Sequence, residues 1–527
     1  MHKILITDAI DKKCKTILES AGFFVTFEAG MPSKKIKSVI KDYHALIVRS
    51  ETQVTSELID EMKNMIVIGR AGTGVDNIDV DSATRKGVIV MNTPGGNTIS
   101  TAEHTMALIL GMCRNIAQAN LSMREGKWER KKFKGSELEG KTLGVIGLGK
   151  VGREVAIRGK AFGMTVLGYD PVLSKESANK LGVSFVELDN VISDSDIITV
   201  HVPLNDETEN LFSDSTFLKC KDGVKIVNCA RGGIVNESAL LKALNNGKIS
   251  AAAFDVYKTE PPDLSGELVQ HPKVLTTPHL GASTEEAQEK VAVQIAEQII
   301  ELFKNKSVRG SVNASSMEAL NNQELKPFII LSENLGSLLA QMNKQHLKKL
   351  SINLSGGFLH SCSGVLSGSF LKGFLSRKMD EPVNLINVGV LAGERGIVLD
   401  ELKSTENQNY KNLITVEFTG ENEKRTIAGT VFGTNEPRIV MIDNYRLELK
   451  PEGSMLVYKN IDKPGMLASA GKILADENIN IAGLALGRLE SGKEALTIIS
   501  LDESISKTAM EKISLTDGIS DVCLVHL

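Results

Sequence analysis

The sequence predicts an α/β protein built on parallel sheets, with a smaller α+β unit and a compact β-α-β-β-α-β unit behind it. Three observations carry this. Short apolar runs alternate with helical stretches over residues 1–98 and again over residues 141–279. That alternation is the pattern of parallel strands joined by crossover helices. A G-x-G-x-x-G turn sits between a strand pattern and a helix pattern at Gly147-Leu-Gly149-Lys150-Val151-Gly152. The final stretch, residues 455–527, repeats short strand and helix patterns in the order β-α-β-β-α-β.

The glycine turn organises the rest. Gly147 permits the tight turn, Gly149 lets a pyrophosphate approach the backbone, and Gly152 lets helix and strand pack closely. Backbone N–H groups at the helix start, here Lys150, Val151 and Gly152, then face the phosphates. An apolar run at 164–169 follows and ends in Asp170, 18 residues past Gly152. A carboxylate there accepts hydrogen bonds from an adenosine ribose. With Pro171 next and no arginine adjacent, it would repel a 2′-phosphate, so the expected cofactor is NAD.

The bulk properties bound the remainder. A chain of 527 residues exceeds one core, so two to four domains are expected. A net charge of −4 gives no general reason to expect nucleic acid or an anionic membrane as partner. Six cysteines, 14, 113, 220, 229, 362 and 523, form no C-x-x-C pair. That argues against structural zinc or a disulfide framework, and no metal site is expected. The first residues enter a strand pattern without a signal or transit segment, and no apolar run is long enough to span a bilayer. The expected location is the cytoplasm.

In order along the chain, strands are expected at 4–6, 23–27, 45–48, 66–70 and 88–91, and helices at 12–20, 34–41 and 56–63. Ligands of open α/β sheets bind beyond the carboxyl ends of strands. Those ends carry Arg49-Ser50 and Arg70-Ala-Gly72-Thr73-Gly74-Val-Asp76-Asn77. Gly72, Thr73 and Gly74 can offer bare N–H groups to an anion. A tight turn and a surface ion pair explain the same residues equally well. Residues 97–111 open a long helix, apolar enough to bury against a copy of itself. Residues 127–134 are basic and hold the only tryptophan, Trp128. They read either as a solvated loop or as the lining of an anionic pocket, in this chain or in a neighbouring subunit.

Past the glycine turn, four strands end in polar residues. The strand at 197–202 ends in His201-Val202-Pro203, and that at 224–228 in Cys229-Ala230-Arg231-Gly-Gly233. The strand at 251–256 holds Asp255 and leads to Glu260-Pro-Pro, and that at 274–277 leads to Pro278-His279-Leu-Gly281. The last three thus deliver an Arg, a Glu and a His to one sheet edge. His279 is a candidate general acid/base, because imidazole titrates near neutrality. Glu260 on its other nitrogen would set the tautomer and stabilise imidazolium. Arg231 can grip a carboxylate with two parallel hydrogen bonds. Asp255 sits where a nicotinamide carboxamide could be anchored. A helix is expected at 285–305.

Residues 327–450 mix a helix at 329–342 with strands at 350–354, 413–418, 425–431, 439–443 and 445–449. Residues 384–401 read as a helix followed by a bend, and Pro451-Glu-Gly453 as a hinge.

The segments 71–77, Pro94-Gly-Gly-Asn-Thr-Ile-Ser-Thr-Ala-Glu-His104, 147–152, Cys229–Gly233, Thr259-Glu-Pro-Pro262 and Pro278–Ser283 together resemble the D-2-hydroxyacid dehydrogenases. Over the whole chain they look most like the long-form phosphoglycerate dehydrogenase branch. The resemblance implies a Rossmann-like NAD-binding domain, 99–279, inserted in a split flavodoxin-like substrate domain, 1–98 plus 280–310. It also implies an intervening domain at 315–450 and a ferredoxin-like ACT domain at 455–527. The implied activity is NAD-dependent oxidation of D-3-phosphoglycerate to 3-phosphohydroxypyruvate, the first step of L-serine biosynthesis. By the same resemblance Arg231 binds substrate, Glu260 and His279 form the catalytic dyad, Thr73 and Gly74 lie on the substrate loop, and Arg49, beside Ser50, reaches the phosphate. Gln53 stands where some relatives carry Lys. Asn460, Asp462 and Asn480 match positions that hold L-serine as an inhibitor between two ACT domains, although Asn460 and Asn480 would serve equally as turn caps.

Two other readings remain at this point. One is a reductase of another 2-hydroxy acid, such as glyoxylate or hydroxypyruvate. The other, of a different class, is an NAD-sensing scaffold. The C-terminal 200 residues and Arg49 count against the first, and the Arg231–Glu260–His279 set counts against the second. A homo-oligomer, a dimer or tetramer, is expected.

Overall fold

The computed structural model describes residues 1–527 apart from 181, 306–307, 315–316, 318, 321, 344–348, 406–408 and 421–423. The expected domain boundary at 315 lies outside the described residues.

Near the N-terminus, five parallel strands form a sheet in the order Phe24–Phe27, Lys3–Ile6, Ala45–Val48, Val67–Arg70, Ile89–Met91. In chain order this is 2-1-3-4-5. Ala45–Val48 is buried along its whole length, as a strand covered on both faces must be. The helix Lys12–Ser20 begins where the Asp11 carboxylate caps the Lys13 amide. It packs beside the long helix Glu285–Asn305, whose Val291, Ala292, Ile295 and Ile299 complete one core of this sheet. The chain therefore leaves the sheet after Met91 and returns to it after residue 281.

The intervening segment forms a seven-stranded parallel sheet in chain order 3-2-1-4-5-6-7, beginning with Thr142–Ile146. The order reverses between Thr142–Ile146 and Ile197–Val200, and the crevice at that reversal is where a doubly wound sheet binds its ligand. The preceding helix, Thr98–Cys113, is buried on most of its circumference against its own domain. This differs from the expectation that it faces a second copy. The free apolar side chains lie mainly on the next helix, Ile116–Arg124, at Ile116, Leu121 and Met123.

The second half builds two further sheets. The six-stranded one runs Val398–Ser404, Lys349–Ser355, Leu413–Thr419, Lys424–Phe432, Glu436–Ile442, Tyr445–Leu449. Its first pair is parallel and the rest antiparallel. Two of its elements were not legible in sequence. Val398–Ser404 is mostly exposed, so it lacks an apolar period, and only pairing with Lys349–Ser355 makes it a strand where a bend was expected. Ser363–Leu375 is a helix despite three glycines, because it packs very closely on Lys326–Met342. A Cβ on Gly336 would strike the Phe370 carbonyl, and one on Gly373 the Glu333 carbonyl.

The last sheet is antiparallel, in the order Ile481–Arg488, Glu494–Leu501, Ser454–Ile461, Ile519–His526, with two helices on one face. Along Ser454–Ile461 the side chains alternate. Leu456 and Tyr458 bury under those helices, while Met455 and Val457 join the core of the preceding unit. One apolar core thus runs through both C-terminal units. The expected hinge is tied down: Asn334 Nδ2 donates to the Pro451 carbonyl at 3.0 Å, and Gly453 and Leu527 exchange two backbone hydrogen bonds.

This C-terminal body docks on the first sheet's helix Val80–Lys86. Asn384 Nδ2 donates to the Gly87 carbonyl at 3.0 Å, and Arg85 pairs with Glu394. The ion pair is largely exposed and adds at most about 1 kcal/mol.

Candidate active site

At the glycine turn Gly147 has φ +91°, and a Cβ there would collide with the His201 carbonyl. A Cβ on Gly152 would run into the Gly147 carbonyl. Gly149 is different, since nothing lies within 4 Å of its would-be Cβ. That open space lies at the start of the helix Lys150–Ala161, whose first N–H groups have no acceptor within the helix. The residues present therefore fit a dinucleotide pyrophosphate. Asp170 is oriented by three backbone amides: Leu148 N donates to Oδ2 at 2.8 Å, and Val172 N and Leu173 N to Oδ1 at 2.9 Å. His201 Nε2 lies 3.0 Å from Thr199 Oγ1, and burial lowers its pKa to about 4, so its ring is neutral at physiological pH. Val202 packs beside Gly147, and the Pro203 carbonyl accepts the Thr208 hydroxyl at 2.6 Å. Cys229 is buried and its thiol is pushed up to about 12, so it offers no thiolate. The next residue, Ala230, has its amide bonded to the Asn228 side chain at 3.1 Å.

The three strand-end residues converge. His279 Nδ1 lies 2.7 Å from Glu260 Oε2, and Glu260 Oε1 accepts the Tyr257 amide at 3.1 Å. The hydrogen bond to Glu260 raises the His279 pKa above its ordinary value. Burial pushes Glu260 upward, but its bonds to His279 and Tyr257 outweigh this and leave it below the usual carboxylate range. Arg231 lies alongside. Its Nε is 3.0 Å from Asp76 Oδ2, on the substrate-side loop across the cleft, and its Nη1 donates to the Ala230 carbonyl.

Asp255 is fully buried. Its Oδ1 accepts Thr277 Oγ1 at 2.6 Å and the Leu280 amide at 2.7 Å, and its Oδ2 accepts the Gly281 amide at 2.8 Å. Burial pushes its pKa up, but the bonds from His104, Thr277 and the Leu280 amide outweigh this and leave it below normal. The carboxylate thus pins the turn that carries His279, a task that sequence reasoning did not assign to it.

On the opposite wall stand Arg49 and Arg70, and both Arg231 and Arg49 come close enough to Arg70 to repel it. Burial, then this repulsion, lowers the Arg70 pKa to about 10. Arg70 braces both loops, donating through Nε to the Arg49 carbonyl and through Nη1 to the Gly74 carbonyl. Buried Asp8 holds the Arg49 loop by accepting the amides of Arg49, Glu51 and Thr52. Ser50 is exposed beside it. Thr73 donates to Asn97 Oδ1 at 2.8 Å. A Cβ on Gly74 would strike the Arg231 guanidinium. Asp8, Arg70, Asp76 and His104 were missed in sequence. Arg70 ends a strand as Arg49 does, which was the available signal.

The proposed effector residues are not together. Asn460 pairs with Ala495 in the last sheet, whereas Asn480 Nδ2 binds Asp502 at 2.6 Å, at the other end of that strand and roughly 20 Å away. Asn460 is buried, with its amide satisfied by Thr497 and the Ile461 carbonyl. Asp462 pairs with Arg488 and the Gly492 amide, both at 3.2 Å.

Three family models match this chain. They are the NAD-binding domain of D-isomer-specific 2-hydroxyacid dehydrogenases at residues 106–281, the D-3-phosphoglycerate dehydrogenase intervening domain at 324–443, and the ACT domain at 454–514. A D-3-phosphoglycerate dehydrogenase of Archaeoglobus fulgidus is 42% identical over 100% of both chains. The chain belongs to the D-3-phosphoglycerate dehydrogenase family. A family member from Bacillus subtilis is 40% identical, again over 100% of both chains. Among solved structures, an NAD-dependent formate dehydrogenase from Staphylococcus aureus in complex with NAD is similar. It is 28% identical, with a TM-score of 0.53, over 59% of this chain and 97% of that one. Members of this family are oxidoreductases, and their nucleotide domain binds NAD. Among the described residues no helix is long and apolar enough to cross a membrane, and no group of three or more His, Cys, Asp or Glu could hold a metal ion.

Proposed function

We propose that this chain oxidises D-3-phosphoglycerate to 3-phosphohydroxypyruvate with NAD. The observation that carries the reading is the 2.7 Å Glu260–His279 pair beside Arg231, facing a wall that adds Arg49 and Arg70. The Arg231 fork takes the substrate carboxylate. Arg49, with Ser50 and the Thr73–Gly74 loop, takes the phosphate. Glu260 holds the Nδ1 proton of His279, which leaves Nε2 to accept the proton of the C2 hydroxyl. The imidazolium that results is stabilised by the Glu260 carboxylate. NAD, when bound, supplies acceptance of the hydride that leaves C2. Gly149, Lys150, Val151 and Gly152 would hold its pyrophosphate, Asp170 its ribose, and residues 201–203 and 229–231 line the path to its nicotinamide end, while Asp255, buried with both oxygens occupied, holds the His279–Gly281 turn instead of touching the cofactor.

L-serine, bound between ACT domains of two chains, is the inhibitor in this reading. The separation of Asn480 from Asp462 within one chain supports a site that needs a second copy. Buried Asn460 would then shape the site from beneath rather than touch the ligand. The exposed Ile481, Leu484 and Leu486 on the last sheet's edge, and Ile116, Leu121 and Met123 elsewhere, offer two apolar surfaces. Two such surfaces suit a tetramer of cytoplasmic chains.

The test is NADH consumption with 3-phosphohydroxypyruvate against hydroxypyruvate and glyoxylate, with and without L-serine. Preference for the phosphorylated acid together with inhibition upholds both parts. Equal turnover of all three acids overturns the substrate assignment.

A further inference from the structure

His104, on the helix Thr98–Cys113, meets the buried Asp255. Its Nε2 is 3.1 Å from Asp255 Oδ1 and 3.2 Å from Thr277 Oγ1. The Thr277 hydroxyl spends its proton on Asp255 Oδ1 at 2.6 Å. Both groups facing His104 Nε2 are therefore acceptors, and Nε2 carries the proton. Asp255 then holds four donors in two sets. His104 and Thr277 come from its side, and the Leu280 and Gly281 amides come from the turn beyond His279.

That turn needs holding. His279 has φ +55°, in the left-handed region, which costs a residue other than glycine on the order of 1 kcal/mol or more. Such a conformation persists only where its surroundings over-determine it. Two amides on Asp255 supply one part of that constraint. Another part comes from the helix that carries His104: Ser100 Oγ and Thr101 Oγ1 both donate to the Gly281 carbonyl, at 2.8 and 3.1 Å. One helix thus grips the turn by its carbonyl directly and by its amides through Asp255.

We propose that His104 is a positioning residue of the reaction, acting through Asp255 to hold the His279 turn where the imidazole meets both Glu260 and the substrate hydroxyl. It touches neither substrate nor dyad. Removing its N–H leaves a buried carboxylate one donor short, and the carboxylate recovers by drawing on the turn. The inference rests on the Glu260–His279 reading.

The experiment compares full-length wild type, His104→Ala, His104→Gln and His279→Ala. It measures kcat, substrate KM and the NADH dissociation constant, with folding checked by circular dichroism. The glutamine amide can place an N–H near the position of the imidazole Nε2. Expected is a kcat loss of about ten- to a hundredfold in His104→Ala, with NADH affinity within about twofold and most of kcat restored in His104→Gln. A folded His104→Ala that retains kcat overturns the inference, as does one that loses NADH affinity in parallel with kcat. If His104→Ala does not fold, Thr277→Val removes the companion donor and must show the same split; full kcat in that variant is equally fatal. His279→Ala keeps the two ideas apart, because turnover surviving there sinks the dyad reading itself.

Discussion

Arg231, at the end of a nucleotide-domain strand, meets Asp76, on a substrate-domain loop, through an Nε–Oδ2 distance of 3.0 Å. This ion pair crosses the cleft, so the guanidinium proposed to receive substrate is already drawn toward the wall that holds Arg49. Asp76 engages the Nε edge, while Nη1 is tied to the Ala230 carbonyl. Arg231→Lys keeps the charge but loses the fork. The expected outcome is a loss of kcat/KM of about a hundredfold, with NADH affinity unchanged, read by steady-state kinetics beside NADH titration.

The Glu260–His279 pair sets the pH dependence. Glu260 raises the His279 pKa, and in the proposed mechanism oxidation needs His279 unprotonated. Oxidation should therefore decline as pH falls through that raised pKa, while reduction, which needs the proton, declines as pH rises through it. In Glu260→Gln the His279 pKa should drop. The acid limb of the oxidation profile then moves to lower pH, alongside a lower kcat. An unmoved limb would assign that limb to another group.

Gly149 and Gly152 should separate cofactor binding from folding. A methyl at Gly149 meets open space, so Gly149→Ala should melt like wild type yet bind NADH at least about tenfold more weakly. A methyl at Gly152 meets the Gly147 carbonyl, so Gly152→Ala should cost on the order of 1–3 kcal/mol of stability. Thermal melts and NADH titrations of the two variants distinguish these outcomes.

Arg49 should read as a specificity residue. Arg49→Ala is expected to raise KM for 3-phosphohydroxypyruvate by about tenfold or more, and to leave KM for hydroxypyruvate nearly unchanged. An equal effect on both substrates would restrict Arg49 to holding its own loop.

The shared C-terminal core should make the intervening and ACT units unfold together. Ile498 is fully buried on the sheet face that joins them. Ile498→Ala in the full chain should cost about 2–5 kcal/mol and lower the denaturant midpoint of both units alike, followed by hydrogen exchange in each.

The chemistry-bearing residues that sequence located share a character. Arg231, Glu260, His279, Asp170 and the three glycines stand at strand ends, and in a parallel sheet a strand end is a fixed place. Their alternation with helices, read from apolar runs alone, brings them to one edge. Asp8, Asp76 and His104 were illegible for the opposite reason. Each acts on a residue at least 41 positions away, and no local period records such a partner. The exposed strand Val398–Ser404 and the glycine-bearing helix Ser363–Leu375 failed in the same way.

By itself the sequence determined the alternation of strands and helices in the two parallel sheets, the glycine turn and the delivery of Arg231, Glu260 and His279 to one sheet edge, because burial periodicity and glycine geometry are local properties of the chain. The tertiary structure alone decided that Asp255 serves the His279 turn, that Arg49 and Arg70 lie across the cleft from Arg231, and that the intervening and ACT units have one core. Those are facts of distance between remote residues. A buried carboxylate or guanidinium takes its role from whichever donors and charges the folded chain sets beside it.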